Sequence, residues 1–302
     1  MQTAKLDAIV RQRDPELKQA VEQLARGNIA PAVDALEAQG RVTEIRDRAR
    51  RIETMASAYA EHPESTLVVA PDNASRRELN QRIHDELQKR GVVNGQDHTL
   101  AILVPRQDVT GAERQWAERY DQGDIIRYSR SSKAIGIGTG EYVSVIKKDS
   151  SRNTLTVERG NGEQVTYDAK RLSGVSVYRE IKQEFSVGDR IQFTAPNKQQ
   201  GISNRELGTI EQLSERQVWV RLDSGKRIEF SPGKKRHFDH GYAVTSHSSQ
   251  GLTADRVLVH VDTAHAHRDL INARMAYVSV SRARYDAHIY TNDAANLGTE
   301  LV

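Results

Sequence analysis

The sequence predicts an α/β fold: a parallel sheet with helices on both faces, interrupted by an inserted β-rich module. Three observations carry this. Residues 1–105 alternate helix-period and strand-like runs. From about residue 122 to 235 the chain turns into short β-runs and turns. After Asp239 the strand-helix alternation returns.

Leu17, Ala20, Val21 and Leu24 fall on one helical face, and Gly27-Asn28 separates that helix from a second one with Ala32, Val33 and Leu36 inward. Gly40 ends it, and RVTEI is a short strand candidate. Ile52, Met55, Ala56 and Tyr59 have helical spacing again. TLVVA, at 66–70, is a continuous apolar run of strand length, as expected of a strand covered on both faces. The next helix sets Leu79, Ile83 and Leu87 on one face, and Ser75 with Glu78 has the spacing of a capping box. Residues 106–121 read as a polar helical linker.

Two segments of the insert look alike, 123–167 and 188–230. Each begins with Gly-Asp and an alternating strand, and each ends in a hairpin, turned by Asn161-Gly162 or Ser224-Gly225. They read as one or two small barrels of SH3 type. In the last part, residues 236–302, GYAVTSH, DRVLVHVD and AHIYT are strands. RDLINARMAYVSVSRAR is a helix on the period of Leu270, Arg274, Tyr277 and Ser281.

The 302 residues suit about two domains. Charged residues make up 28% and the formal net charge is +3, with a mean hydropathy of -0.66. Such a mildly basic chain permits a polyanionic partner without requiring one. The absence of cysteine removes disulfides, thiolate zinc sites and cysteine nucleophiles. No signal peptide or membrane span is evident, so the expected compartment is the cytoplasm.

The stretch with the most chemistry is TSHSSQGLTADRV, Thr245 to Val257. It packs hydroxyls, an imidazole and a Gln-Gly pair between apolar runs. A surface loop, a metal or hydrolase site, and a loop gripping phosphate all fit that description. Adjacent Ser246, His247 and Ser248 make a poor nucleophile-base pair, and G-x-S-x-G is absent. The histidines of HFDHGYAVTSH and HAHRD fit no standard metal spacing, so no metal is assigned. GIGTG, at 136–140, lacks a following helix and reads as a hairpin. GKKRH, 233–237, reads as a solvated charge run, and Trp116 and Trp219 as packing residues rather than base-stacking ones.

VTSHSSQGLTADRV resembles motif V of superfamily 1 DNA helicases, MAYVSVSRARYDAHIYTN resembles motif VI, and LDAIVRQRDPELKQAV resembles motif IV. Their order around a β-rich insert is similar to the second RecA-like (2A) lobe of RecD-type helicases, with the 2B insertion. The nearest likeness is to the conjugative relaxase-helicases of the TraI/TrwC kind. The resemblance implies a RecA-like sheet and a 5′-to-3′ motor that uses ATP and Mg²⁺. It implies that Arg11 and Arg282 are the arginines stabilising the γ-phosphate, the alternative being two of many surface arginines. Gln250 and Gly251 would couple nucleotide state to DNA, with Gly251 permitting close backbone approach. Thr245, His247 and Ser248, and less distinctly Asn73 and Arg76, would touch phosphates of single-stranded DNA. Arg284 is left as a surface or phosphate contact.

No G-x-x-x-x-G-K-[ST] phosphate loop occurs, and no acidic strand end precedes the first motif. The expectation is therefore the C-terminal half of a motor, without ATPase activity or bound cofactor by itself. Its expected partners are the N-terminal RecA-like lobe, a relaxase domain and single-stranded DNA. The resemblance also implies an alternative: a non-catalytic recognition module, either a type IV secretion signal read by a coupling protein and exported to a recipient cell, or a DNA clamp.

Overall fold

The computed structural model describes residues 11–106, 108–132, 135–197, 199–234, 236–266 and 268–302. The chain opens with α1 (Pro15–Ala25), α2 (Ile29–Ala38), β1 (Val42–Glu44), α3 (Arg48–Glu61), β2 (Thr66–Ala70) and α4 (Asn73–Lys89). It closes with β14 (Ala243–Thr245), β15 (Ala254–Val261), α5 (Ala273–Val280), β16 (Ala283–Thr291) and α6 (Leu297–Glu300). The five strands form one all-parallel sheet in the order β1-β16-β15-β2-β14.

β2 is buried at all five positions, and its alternate residues face two cores. Leu67 and Val69 pack with residues of α1, α2 and α5; Val68 and Ala70 pack with residues of α3 and α4. That is why TLVVA runs on apolar after Thr66, without alternation. The helical faces expected for the first four helices are the buried ones. Two local expectations are corrected. The cap of α4 is Asp72, whose carboxylate accepts from Ser75 N at 2.7 Å, so Ser75 is already inside the helix. α5 exists, but its buried face is Met275, Ala276, Val278, Ser279 and Val280, while Leu270 lies outside it and is exposed.

Between the two halves of the lobe lie two antiparallel sheets. The first contains β3 (His98–Pro105), β4 (Ile125–Tyr128), β5 (Tyr142–Asp149), β6 (Thr154–Arg159), β7 (Gln164–Asp168) and β8 (Val175–Phe185), in the order β3-β8-β4-β5-β6-β7. The second contains β9 (Arg190–Phe193), β10 (Leu207–Leu213), β11 (Val218–Leu222), β12 (Arg227–Phe230) and β13 (Phe238–His240), in the order β12-β11-β10-β9-β13.

These sheets repeat one plan. Each module begins at a Gly-Asp turn with the glycine at positive φ, 90° at Gly123 and 99° at Gly188. Gly123 N donates to Val145 O and Val145 N to Asp124 O; Gly188 N and Ile210 N make the same two bonds to Ile210 O and Asp189 O. An isolated bridge follows, Ser132–Ile137 or Asn197–Ile202. A bulge then follows Val145 or Ile210, and a tight turn at Gly162 or Gly225 closes the last hairpin. The likeness read from the sequence thus extends to the backbone bonds of these turns.

The boundaries differ from those expected. β3, assigned above to the first part of the lobe, pairs along its whole length with β8. Its Leu100, Ile102 and Val104 enter the core of the second module. β13, assigned to the second part of the lobe, pairs with β9. The expected helical linker is two 3-10 turns, Gly111–Gln115 and Ala117–Arg119. Trp116 between them is 50% exposed, with Lys170 Nζ 5.9 Å from its ring centre, rather than packed inside. Trp219 is half-buried on β11, as its alternating strand implies.

The second module is seated on the lobe through buried polar groups. Asn80 of α4 donates to His240 O and Ala243 O and accepts from Ala243 N. Arg76 donates to the Asp239 carboxylate at 2.7 Å. Asp189 accepts from Ser186 N, His84 Nδ1, His240 Nε2 and the Tyr242 hydroxyl. Among the described residues, His84, Asp189 and His240 are also the group whose ligand atoms lie close enough to share a cation. The hydrogen bonds of Asp189 account for those atoms with protons alone. Burial works against charge on His84, but its bond to Asp189, and then the charges of Asp189, Asp97 and Asp85, win and raise its pKa. Burial likewise opposes the Asp189 carboxylate, but the two histidines hold its pKa well below the usual range.

Candidate functional site

Residues 11–13 lie along the junction between α5 and β16. Arg13 N donates to Arg284 O at 2.7 Å. Gln12 is 6% exposed and its amide donates to Ser281 O and Ala283 O at 3.0 and 2.8 Å. These bonds place Arg11, whose Nη1 donates to Ser281 O at 2.7 Å. Arg282 comes from the other side: its Nε donates to Val278 O and its Nη2 to Ser281 Oγ, both at 2.9 Å.

The two arginines therefore meet on one residue, Ser281, although 271 positions separate them in the chain. Burial, and after it the charge of Arg11, lowers the pKa of Arg282. Among the described residues neither guanidinium has a carboxylate within ion-pair distance, while Arg284 next door is paired with Asp255. Both guanidinium groups are half-buried and held by carbonyls and a hydroxyl, without an acid between them. The apolar residues expected to flank Arg11 at positions 6–10 lie outside the described residues.

The Thr245–Gly251 loop leaves the end of β14 and holds its own shape. Thr245 Oγ1 accepts from Ser248 N, Ser249 N donates to Thr245 O, and Ser249 Oγ donates to Ser246 O. Thr245 and Ser248 are thus partly spent on the loop itself. His247, Gln250 and Gly251 are exposed. Gly251 has φ 90° and open space where a Cβ would stand, so its need for glycine is conformational rather than a close approach within the chain. Ser246, His247 and Gln250 share a small cleft, about 150 Å³, with Asn272, Arg274 and Val278 of the loop and helix carrying motif VI. Arg282 is bonded to Val278, so the loop and the arginine pair adjoin one helix.

Asn73 and Arg76 lie on the first turn of α4. Arg76 is 6% exposed, and its guanidinium is held by Asp239 and Asn73 Oδ1. That pairing ties the second module to the lobe. Asn73 lines a cleft with Ser248 and Arg205. Three contributors were not singled out from sequence. Gln12 was signalled only by its place beside Arg11. Arg274 was read as a periodic position rather than a cleft cation. Arg205 gave no signal.

Two parts of the chain match known families, and longer stretches match conjugation proteins. Residues 240–290 match the model of the UvrD-like helicase C-terminal domain, and residues 1–47 match an AAA domain. The multifunctional conjugation protein TraI of Escherichia coli is 25% identical over 76% of this chain and 13% of its own length. The conjugal transfer protein TraA of Rhizobium radiobacter is 26% identical over 95% of this chain and 19% of its own length. The chain therefore spans less than a fifth of these relatives. Among solved structures, Bacteroides Pif1 bound to single-stranded DNA is 14% identical, with a TM-score of 0.48 over 98% of this chain and 52% of that one. No described helix is long and apolar enough to cross a membrane.

Proposed function

We propose that this superfamily 1 helicase-like chain, related to the conjugative relaxase-helicases, is the second lobe of an ATP-driven motor on single-stranded DNA. The observation that carries the reading is the convergence of Arg11 and Arg282 on Ser281, without an acid between them. In such a motor a nucleotide lies between two lobes, and charge grows on the transferred phosphoryl group. Positioned guanidinium groups stabilise that charge. ATP with Mg²⁺, held by a lobe that has a phosphate loop, would supply phosphoryl transfer to water. This chain would supply two arginines, fixed in direction by Val278 O, Ser281 O and Ser281 Oγ. We also read the two β modules as SH3-like, from their shared five-strand order.

On this reading the Thr245–Gly251 loop meets DNA phosphates through its exposed face, with Gln250 and Gly251 linking it to the arginine pair across the α5 cleft. The chain alone is expected to bind single-stranded DNA in a salt-dependent manner and not to hydrolyse ATP. Turnover by the isolated chain, abolished by Arg282→Ala, would contradict it.

A further inference from the structure

The second β module touches the tip of the Thr245–Gly251 loop through one strained residue. Arg205 lies between β9 and β10 with φ 68°, a left-handed conformation that otherwise falls to glycine and to Asn153 among the described residues. Its backbone is pinned there from both sides: Arg205 N donates to Phe193 O at 2.8 Å, and Arg205 O accepts from the Gln192 amide at 3.3 Å. The side chain leaves the module and donates from Nη1 to His247 O at 2.9 Å. Among the described residues this is the side-chain bond that reaches the loop tip from outside the loop. Arg205, Thr194, Asn73, Arg76 and Ser248 line one cleft, about 200 Å³, where module, α4 and loop come together.

A conformation disfavoured for arginine persists where its surroundings over-determine it, and such residues gather at sites of function. The first module makes the same turn with glycine in that place, Gly140 at φ 81° donating from N to Tyr128 O, so the turn belongs to the shared plan; particular to the second module is an arginine there, its exposed side chain directed at another part of the molecule. We propose that Arg205 is a positioning residue: through it, the seating of the second β module sets the shape of the Thr245–Gly251 loop and hence its hold on single-stranded DNA. The module is seated by Arg76–Asp239 and by the bonds of Asp189 to His84 and His240. A module shifted on that seat would carry Arg205 away and release His247 O. The inference rests on the proposal that the loop grips DNA.

The variant Arg205→Gly separates positioning from structure, because it removes the guanidinium while relieving the backbone. Three quantities would be measured on the full chain: the thermal midpoint, amide hydrogen exchange at Ser249 and Leu252, and affinity for an oligo-dT strand. The expected result is an unchanged or higher midpoint with exchange in the loop faster by a few-fold to about tenfold, the worth of one hydrogen bond. Oligo-dT affinity should weaken by a similar factor, and Arg205→Lys should restore part of both. Unchanged loop exchange would overturn the inference, as would a lower midpoint with faster exchange throughout the chain. Failure of the unsubstituted chain to bind oligo-dT would instead count against the proposed function, since loop exchange is read without DNA.

Discussion

The two β modules share a plan and differ in what their Gly-Asp turns hold. Asp124 of the first accepts from Arg106, which is also bonded to Asp108 and Asp121. Asp189 of the second accepts from His84 of α4, from His240 of β13 and from Tyr242, just before β14. The first turn therefore anchors its module to the adjoining linker with a permanent cation, and the second anchors its module to the lobe through His84, which titrates, and the Tyr242 hydroxyl. The repeated turn is a socket, and the residues plugged into it decide which parts of the molecule are joined and at what pH. The second module is also the one that reaches the Thr245–Gly251 loop.

This comparison can be broken most directly by emptying the sockets. Asp189→Ala would leave two buried histidines, a tyrosine hydroxyl and Ser186 N without an acceptor, a loss of about 3–5 kcal/mol. Asp124→Ala leaves Arg106 with two other carboxylates and should cost about 1–3 kcal/mol. Urea midpoints of both variants test the order, and equal losses would deny that the second socket is the junction.

Next comes Gly241, between β13 and β14. A Cβ there would stand 2.7 Å from Ile191 C and 2.9 Å from Ile191 O. Gly241→Ala should cost about 1–3 kcal/mol through overpacking, read as a lowered thermal midpoint. A tolerated alanine would show the seat to be looser than drawn.

A smaller effect distinguishes the plugs by pH. The folded pKa of His84 is raised, so its contribution is complete below the ordinary imidazole pKa, about 6.5, and is lost as pH rises through the raised value. The groups facing it are Asp189, Asp97, Asp85, His240 and Tyr242. The stability difference between the unsubstituted chain and His84→Gln should therefore be largest near pH 6 and shrink towards about pH 9. The corresponding difference for Arg106→Gln should stay level over that range, because a guanidinium does not titrate there. A His84 difference that grows with pH would contradict the assignment.

Smallest in stability is Gln12→Ala, which removes two hydrogen bonds and costs about 1–2 kcal/mol. It should loosen the placement of Arg11, seen as faster amide exchange at Arg13, with a urea midpoint lowered by less than in the socket variants.

Much of the lobe was legible because buried helices and strands write their periods into the sequence: Leu17 to Leu24, TLVVA, and the apolar run of β15. The duplication was legible because its turns need particular residues, Gly123-Asp124, Gly188-Asp189, Asn161-Gly162 and Ser224-Gly225. Partners were not legible. The apolar run Leu100 to Val104 does not say that one face of β3 belongs to the second module. Arg76 resembles an exposed helix-start arginine until Asp239, 163 positions away, is seen against it. Arg205 is unremarkable as a letter and is marked only by its backbone angle and its reach. Arg11 and Arg282 were visible through motif order, yet their meeting on Ser281 was not.

The central claim is that this pair serves a nucleotide shared with another lobe. The direct test joins the chain to a lobe with a phosphate loop and measures DNA-stimulated ATPase and oligo-dT affinity for Arg282→Ala. ATPase should fall by about 10³-fold or more, the worth of an arginine finger, with DNA affinity nearly unchanged. Equal losses in both, or unaltered ATPase, would contradict the account.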